Sequence, residues 1–132
     1  MVWRVTELHS TEQDSTELGS TALAHKVADV MSDKKASDIV VLDLRGLTYI
    51  ADYFVIGNGT TERQIRALAD EVEQRLKQDD RIVPYQVEGT SASGWVLIDY
   101  GEVIVHIFSP SERDYYKIEK IWSDAPVVVK ML

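Results

Sequence analysis

The chain has 132 residues, 45% of them hydrophobic, with no cysteine and a formal net charge of −8. That is one domain's worth of chain with enough apolar content for a single core, and it holds no run long enough to span a bilayer. The missing cysteines exclude disulfides and zinc–thiolate sites and fit a reducing cytoplasm. The acidic balance makes the chain a poor binder of nucleic-acid backbone on its own; it suits a basic protein partner, or simply keeps the chain soluble.

Residues 1–19 are polar and acidic without sustained periodicity, which predicts a flexible N-terminal arm. They carry neither the apolar run of a secretory signal nor the Arg-rich pattern of an organelle signal, so a cytoplasmic location is expected. A helix begins near Ser20, with Leu23, Val27, Val30 and Met31 at helical spacing and Lys34 and Lys35 favouring its C-terminal end. His25 lies inside it with no second His at i+4 to make a metal pair. Residues 38–45 (DIVVLDLR) predict the first strand. A short connector leads to the second, 53–56 (YFVI), which is continuously apolar and therefore central. The turn GNG at 57–59 permits a tight entry into a helix capped by Thr61, with Gln64 as its capping-box partner and Ile65, Leu68, Ala69, Val72 and Leu76 as the buried stripe. A Gly-rich turn entering a helix is also a weak anion-site signal, but the motif lacks the third glycine of a dinucleotide fingerprint and the Gly-Lys-Ser/Thr of a phosphate loop. Residues 81–88 predict an edge strand because of Pro84, and 89–94 (GTSASG) a flexible loop.

The most informative stretch is 94–122. Two strands, 95–99 and 103–108, flank a turn containing Tyr100-Gly101. A two-residue turn there would set Trp95 opposite His106, Leu97 opposite Ile104 and Asp99 opposite Glu102. One ribbon face would then carry Val96, Ile98, Val103, Val105 and Ile107, a core face. The other mixes Trp, His and two carboxylates with aliphatics, and reads either as a half-wet sheet or as a working side. Ser109 caps the following helix, with Pro110 at its first position and Glu112 completing a capping box. Tyr115, Ile118 and Trp122 fall on one stripe expected to dock on the sheet. The apolar tail 126–132 needs something to lie on, either this domain or a second subunit. The element order argues an α/β fold with a mixed sheet of about five strands flanked by helices.

Taken together, D-I-V-V-L-D at 38–43, T-Y-I-A-D-Y-F-V-I-G-N-G at 48–59, Arg63-Gln64, Glu88-Gly89, W-V-L-I-D-Y-G-E-V-I-V-H at 95–106 and the pattern of Arg113, Tyr116 and Trp122 resemble the ribosomal silencing factor (Iojap) family. The resemblance covers about residues 20–125. It divides the chain into an arm (1–19), the family domain (20–125) and the apolar tail (126–132). It implies a five-stranded mixed sheet similar to the nucleotidyltransferase fold. It also implies a homodimer and a partner, the basic ribosomal protein numbered fourteen on the large ribosomal subunit. Binding there would keep the small subunit from joining and lower translation when nutrients are scarce.

A nucleotidyltransferase-type enzyme is the alternative. It needs paired carboxylates to hold metal ions, yet Asp43 has no second acid two residues along its strand. No nucleophile motif or His pair stands elsewhere in the chain. The expectation is a binding protein with no catalytic, metal or cofactor residues, no membrane contact and no direct sequence-specific nucleic-acid binding. Trp95, Asp99, Tyr100 and Tyr116 fit aromatic anchors beside an acid. His106 suits a structural hydrogen bond on the hairpin, and the resemblance marks both it and Arg113. Asp43, Asp52 and Arg113 could instead pair with one another as fold-holding ions.

Overall fold

A computed structural model describes residues 18–132 of the chain. The expected acidic arm lies outside the described residues, apart from Leu18 and Gly19. The elements run α1 (Ser20–Asp33), β1 (Ser37–Asp43), β2 (Tyr53–Asn58), α2 (Glu62–Asp80), β3 (Gln86–Thr90), a single 3-10 turn (Ser91–Ser93), β4 (Trp95–Asp99), β5 (Val103–Phe108), α3 (Pro110–Tyr116), α4 (Ile118–Ile121) and β6 (Val127–Met131). They build a mixed six-stranded sheet in the order β3-β4-β5-β2-β1-β6. Only β2 and β5 pair in parallel, and α2 lies within the crossover between them. The sixth strand is the apolar tail, which pairs antiparallel with β1 from Ile39↔Met131 to Leu42↔Val127. The tail thus lies on its own domain's sheet, and the strand count is one more than expected.

Side-chain alternation divides the core into two layers. Leu23, Val27 and Met31 of α1 and Ile65, Leu68, Val72 and Leu76 of α2 bury one sheet face through Ile39, Val41, Tyr53, Val55, Val96, Ile98 and Val105. The opposite face packs Val40, Leu42, Phe54, Ile56, Ile104 and Phe108 with Ile118 and Ala125. Among the described residues the helices on this side are the short α3 and α4, and Trp95 and Leu97 stay half-buried at its margin. β2 is buried along its whole length, as a continuously apolar central strand requires.

Local signals explain the long helix. The Thr61 side chain accepts from the Gln64 amide at 3.0 Å. Gln64 reaches back one residue further than expected, to the Thr60 amide at 2.7 Å. Gly57 and Gly59 serve packing: a Cβ on Gly57 would collide with Met31 of α1, and one on Gly59 with Ile65 of α2. Helix α2 ends on Arg81 in the left-handed region (φ 58°), and the Ile82 amide returns to the Leu76 carbonyl at 3.1 Å.

Two local expectations are corrected. The edge strand starts at Gln86, not 81, because residues 81–85 complete the helix cap and pass through Pro84 before pairing begins. The 89–94 stretch is ordered: Gly89 and Thr90 extend β3, and Thr90 caps the 3-10 turn by accepting from the Ser93 amide at 3.2 Å.

Candidate functional site

The hairpin register differs from the expected one by two residues. Trp95 pairs with Phe108, Leu97 with His106 and Asp99 with Ile104. Gly101 and Glu102 make the turn, Gly101 at φ 89°, and the Tyr100 amide donates to the Val103 carbonyl at 2.9 Å. Asp99 fixes this register by accepting from the Gly101 amide at 2.7 Å. A slip of two leaves the strand side chains on their expected faces, so the mixed face keeps Trp95, Leu97, Asp99, Ile104 and His106 with Phe108 added, while Glu102 leaves the ladder for the turn.

On that face the rings form a continuous aromatic layer. Trp95 stacks on Phe108 at 4.8 Å between centroids and meets Tyr116 at 4.5 Å. His106 packs edge-on to Phe54 at 4.6 Å, and Phe54 meets Trp122 at 6.0 Å. The Trp95 indole N–H donates to His106 Nδ1 at 3.2 Å. Nδ1 therefore carries a lone pair, and the neutral ring holds its proton on Nε2. His106 is 4% exposed, its Nε2 has no hydrogen-bond partner among the described residues, and burial lowers its pKa to about 4. It is a neutral core group that fixes the indole.

Of the six expected partner-binding residues, Trp95, His106 and Tyr116 come together here. Tyr116 is 44% exposed and Trp95 half-buried, so their edges remain open to solvent. A shallow pocket of about 210 Å³ beside them is lined by Glu88, Gly89, Ser93 and Leu97. Asp99 shares the face but holds the turn. Tyr100 does not project past the sheet edge: it is 6% exposed in the core layer under the helices, where burial raises its hydroxyl pKa. Strand alternation carries the sign of this, since Tyr100 continues the Val96–Ile98 face.

Arg113 holds the fold. Its Nε and Nη2 bind the two Glu119 carboxylate oxygens at 2.8 and 3.0 Å, and Nη1 donates to the Asp38 carbonyl at 2.6 Å and to Asn58 Oδ1 at 2.9 Å. The guanidinium holds the Glu119 carboxyl below its usual pKa. The idea that Asp43, Asp52 and Arg113 pair with one another is corrected: Asp43 accepts from Arg45 at 2.9 and 3.0 Å, and Asp52 from the Ser20 hydroxyl at 2.7 Å. The position two residues beyond Asp43, where a metal-binding acid would stand, holds the Arg45 that lowers the Asp43 pKa.

Sequence reasoning missed Leu97 and Glu88 as neighbours of Trp95. Leu97 was legible as i+2 on the same face; Glu88 joins it only through the β3–β4 register, Glu88↔Leu97. Tyr115, placed on the docking stripe, is instead 75% exposed and meets Tyr116 edge-on at 5.0 Å. The expected stripe is broken at Lys117, whose left-handed backbone (φ 48°) separates Tyr115 and Tyr116 on α3 from Ile118 on α4, and it is Tyr116 that meets Trp95.

The sequence and the fold are similar to those of known proteins. A ribosomal silencing factor of Halalkalibacterium halodurans is 40% identical over 111 residues, covering 84% of this chain and 94% of that one. Its Bacillus subtilis counterpart is 41% identical over 100 residues, covering 76% and 84%. A crystal structure from Chromobacterium violaceum matches with a TM-score of 0.76 at 33% identity, over 80% of this chain and 88% of that one. The family profile described as "Ribosomal silencing factor during starvation" matches residues 17–131. With a match that runs from ahead of α1 into β6, the chain belongs to the ribosomal silencing factor family.

Proposed function

We propose that this chain represses translation by binding the large ribosomal subunit through the basic ribosomal protein numbered fourteen, on the subunit-joining face. It thereby blocks association with the small subunit when nutrients are scarce. The observation that carries this reading is the open Trp95–Tyr116 ring pair with Glu88 at its margin, in a chain of net charge −8. Rings of this kind fill a partner's pocket, and carboxylates at the rim steer a basic partner toward it. The chain acts here as a binder, in the cytoplasm and as a homodimer. The carboxylates that an enzyme would need for metal ions are instead committed to Arg45, Ser20 and the Gly101 amide.

Co-sedimentation with isolated large subunits tests this. Tyr116→Ala removes a ring that is 44% exposed, so it is expected to weaken binding roughly thirtyfold, by about 2 kcal/mol. Thermal unfolding should hardly change. Full affinity in that variant would place the binding face elsewhere.

A further inference from the structure

Helix α3 separates two surfaces. Tyr116 meets Trp95 on the aromatic side, while Arg113 and Lys117 line an open cleft of about 660 Å³ on the other, with Lys120 and Lys130 completing its cationic set. Four cations and three carboxylates line this cleft, the reverse of the balance in a chain of net charge −8. The carboxylates are largely matched. Glu119 is gripped by Arg113 at 2.8 Å, and Asp114 meets Lys117 at 3.2 Å. Lys120 of α4 and Lys130 of β6 are exposed and have no ion pair among the described residues. Lys130 reaches the cleft on β6, the strand that the apolar tail forms against β1. Lys130 adds to Arg113 in lowering the Glu119 pKa and Asp38 also lines the cleft, but neither ammonium group is within ion-pair distance of a carboxylate among the described residues, which leaves both open to an outside anion beside the aromatic face.

We infer that the cleft between α3, α4 and β6 takes backbone phosphates of ribosomal RNA through Lys120 and Lys130, next to the protein partner held by the Trp95–Tyr116 face. The inference rests on the reading of the chain as a ribosome binder. Lysine suits the role as a flexible point charge that contacts phosphate without reading sequence. Two phosphate contacts cannot hold an acidic protein on RNA alone. Beside a docked protein partner they add a salt-dependent contact to an already formed complex.

The test compares three full-length chains: wild type, Lys120→Gln/Lys130→Gln, and Lys34→Gln/Lys77→Gln, the last making the same charge change away from the cleft. Affinity for purified large subunits is measured across a salt series, and affinity for the isolated ribosomal protein is measured in parallel. The cleft variant is expected to lower the slope of log affinity against log salt by about 1.5 and to weaken low-salt binding on the order of tenfold. Its affinity for the isolated protein and its melting temperature should stay unchanged, and the control variant should keep the wild-type slope. Equal slopes for the cleft and control variants overturn the inference. Equal losses toward the isolated protein assign the cleft to a protein contact and overturn it too. Tight binding of ATP or pyrophosphate that the cleft variant abolishes would make the site one for free phosphates and overturn the RNA assignment. A wild-type chain that binds no subunits at any salt removes the ribosome reading as well, which separates that failure from the others.

Discussion

His106 joins the core to the exposed rings, and its chemistry gives a pH signature. Burial depresses its folded pKa to about 4, below the usual histidine value. Between the two values the unfolded chain binds a proton that the folded chain does not. This stabilisation is full above about pH 6.5 and is lost as pH falls toward 4. Its size is on the order of 3 kcal/mol. A pH series of melting temperatures should therefore fall across this window in wild type and be much flatter in His106→Gln. Parallel curves would mean that another group titrates there. Trp95 depends on the same contact. Trp95→Phe keeps a ring against Phe108 but removes the donor to Nδ1, and is expected to cost about 1–2 kcal/mol in denaturant unfolding. Trp95→Ala should cost about 3 kcal/mol and weaken subunit binding as well. On the proposed reading Trp95 serves both the fold and the partner contact, where the sequence offered a choice between the two. A Trp95→Ala variant that loses stability alone would leave it purely core.

At the scale of elements, the break between α3 and α4 determines what the aromatic face presents. An unbroken helix would have put Tyr115, Ile118 and Trp122 on one stripe; the left-handed Lys117 breaks that stripe, and Tyr116 stands against Trp95 in place of Tyr115. An L residue in that conformation is strained, and the site is a helix C-cap of the kind glycine favours. Lys117→Gly should therefore stabilise the chain by up to about 1 kcal/mol without affecting the Trp95–Tyr116 contact. A drop in melting temperature would show that the lysine side chain does more than tolerate the turn. Arg113 locks the same junction. Arg113→Lys cannot reproduce the two-pronged grip on Glu119 together with the bonds to Asp38 and buried Asn58. It should lower stability by about 2 kcal/mol while the folded fraction binds subunits normally. A selective loss of binding would instead restore the partner contact expected from the sequence.

For the whole molecule, the tail is a structural strand. β6 covers the edge of β1, and the Asp43 amide donates to the Pro126 carbonyl at 2.9 Å. Deleting residues 126–132 should lower the melting temperature sharply and, by uncovering an apolar strand edge, promote aggregation. A truncated chain with wild-type melting would make the strand dispensable. The dimer is a separate proposal, checked by sedimentation at micromolar concentration; a monomer at every concentration would remove it.

Much of this architecture was legible in the sequence because its signals are local. Thr61 and Ser109 cap their helices as their residue types require. The alternation in β4 and β5 separates a core face from a mixed face, whatever the register. The apolar run of β2 places it centrally. What only the tertiary structure decided depends on contacts distant in sequence. The hairpin slipped by two because Asp99 binds the Gly101 amide and moves the turn, a choice between registers that bury the same faces. Arg113 became a fold ion because Asp38, Asn58 and Glu119 converge on it from three separate elements or their edges. The tail became a strand because β1 offered an apolar edge at matching length. The break between α3 and α4 also lay beyond the sequence, since it falls at a lysine whose residue type gives no sign of a left-handed backbone.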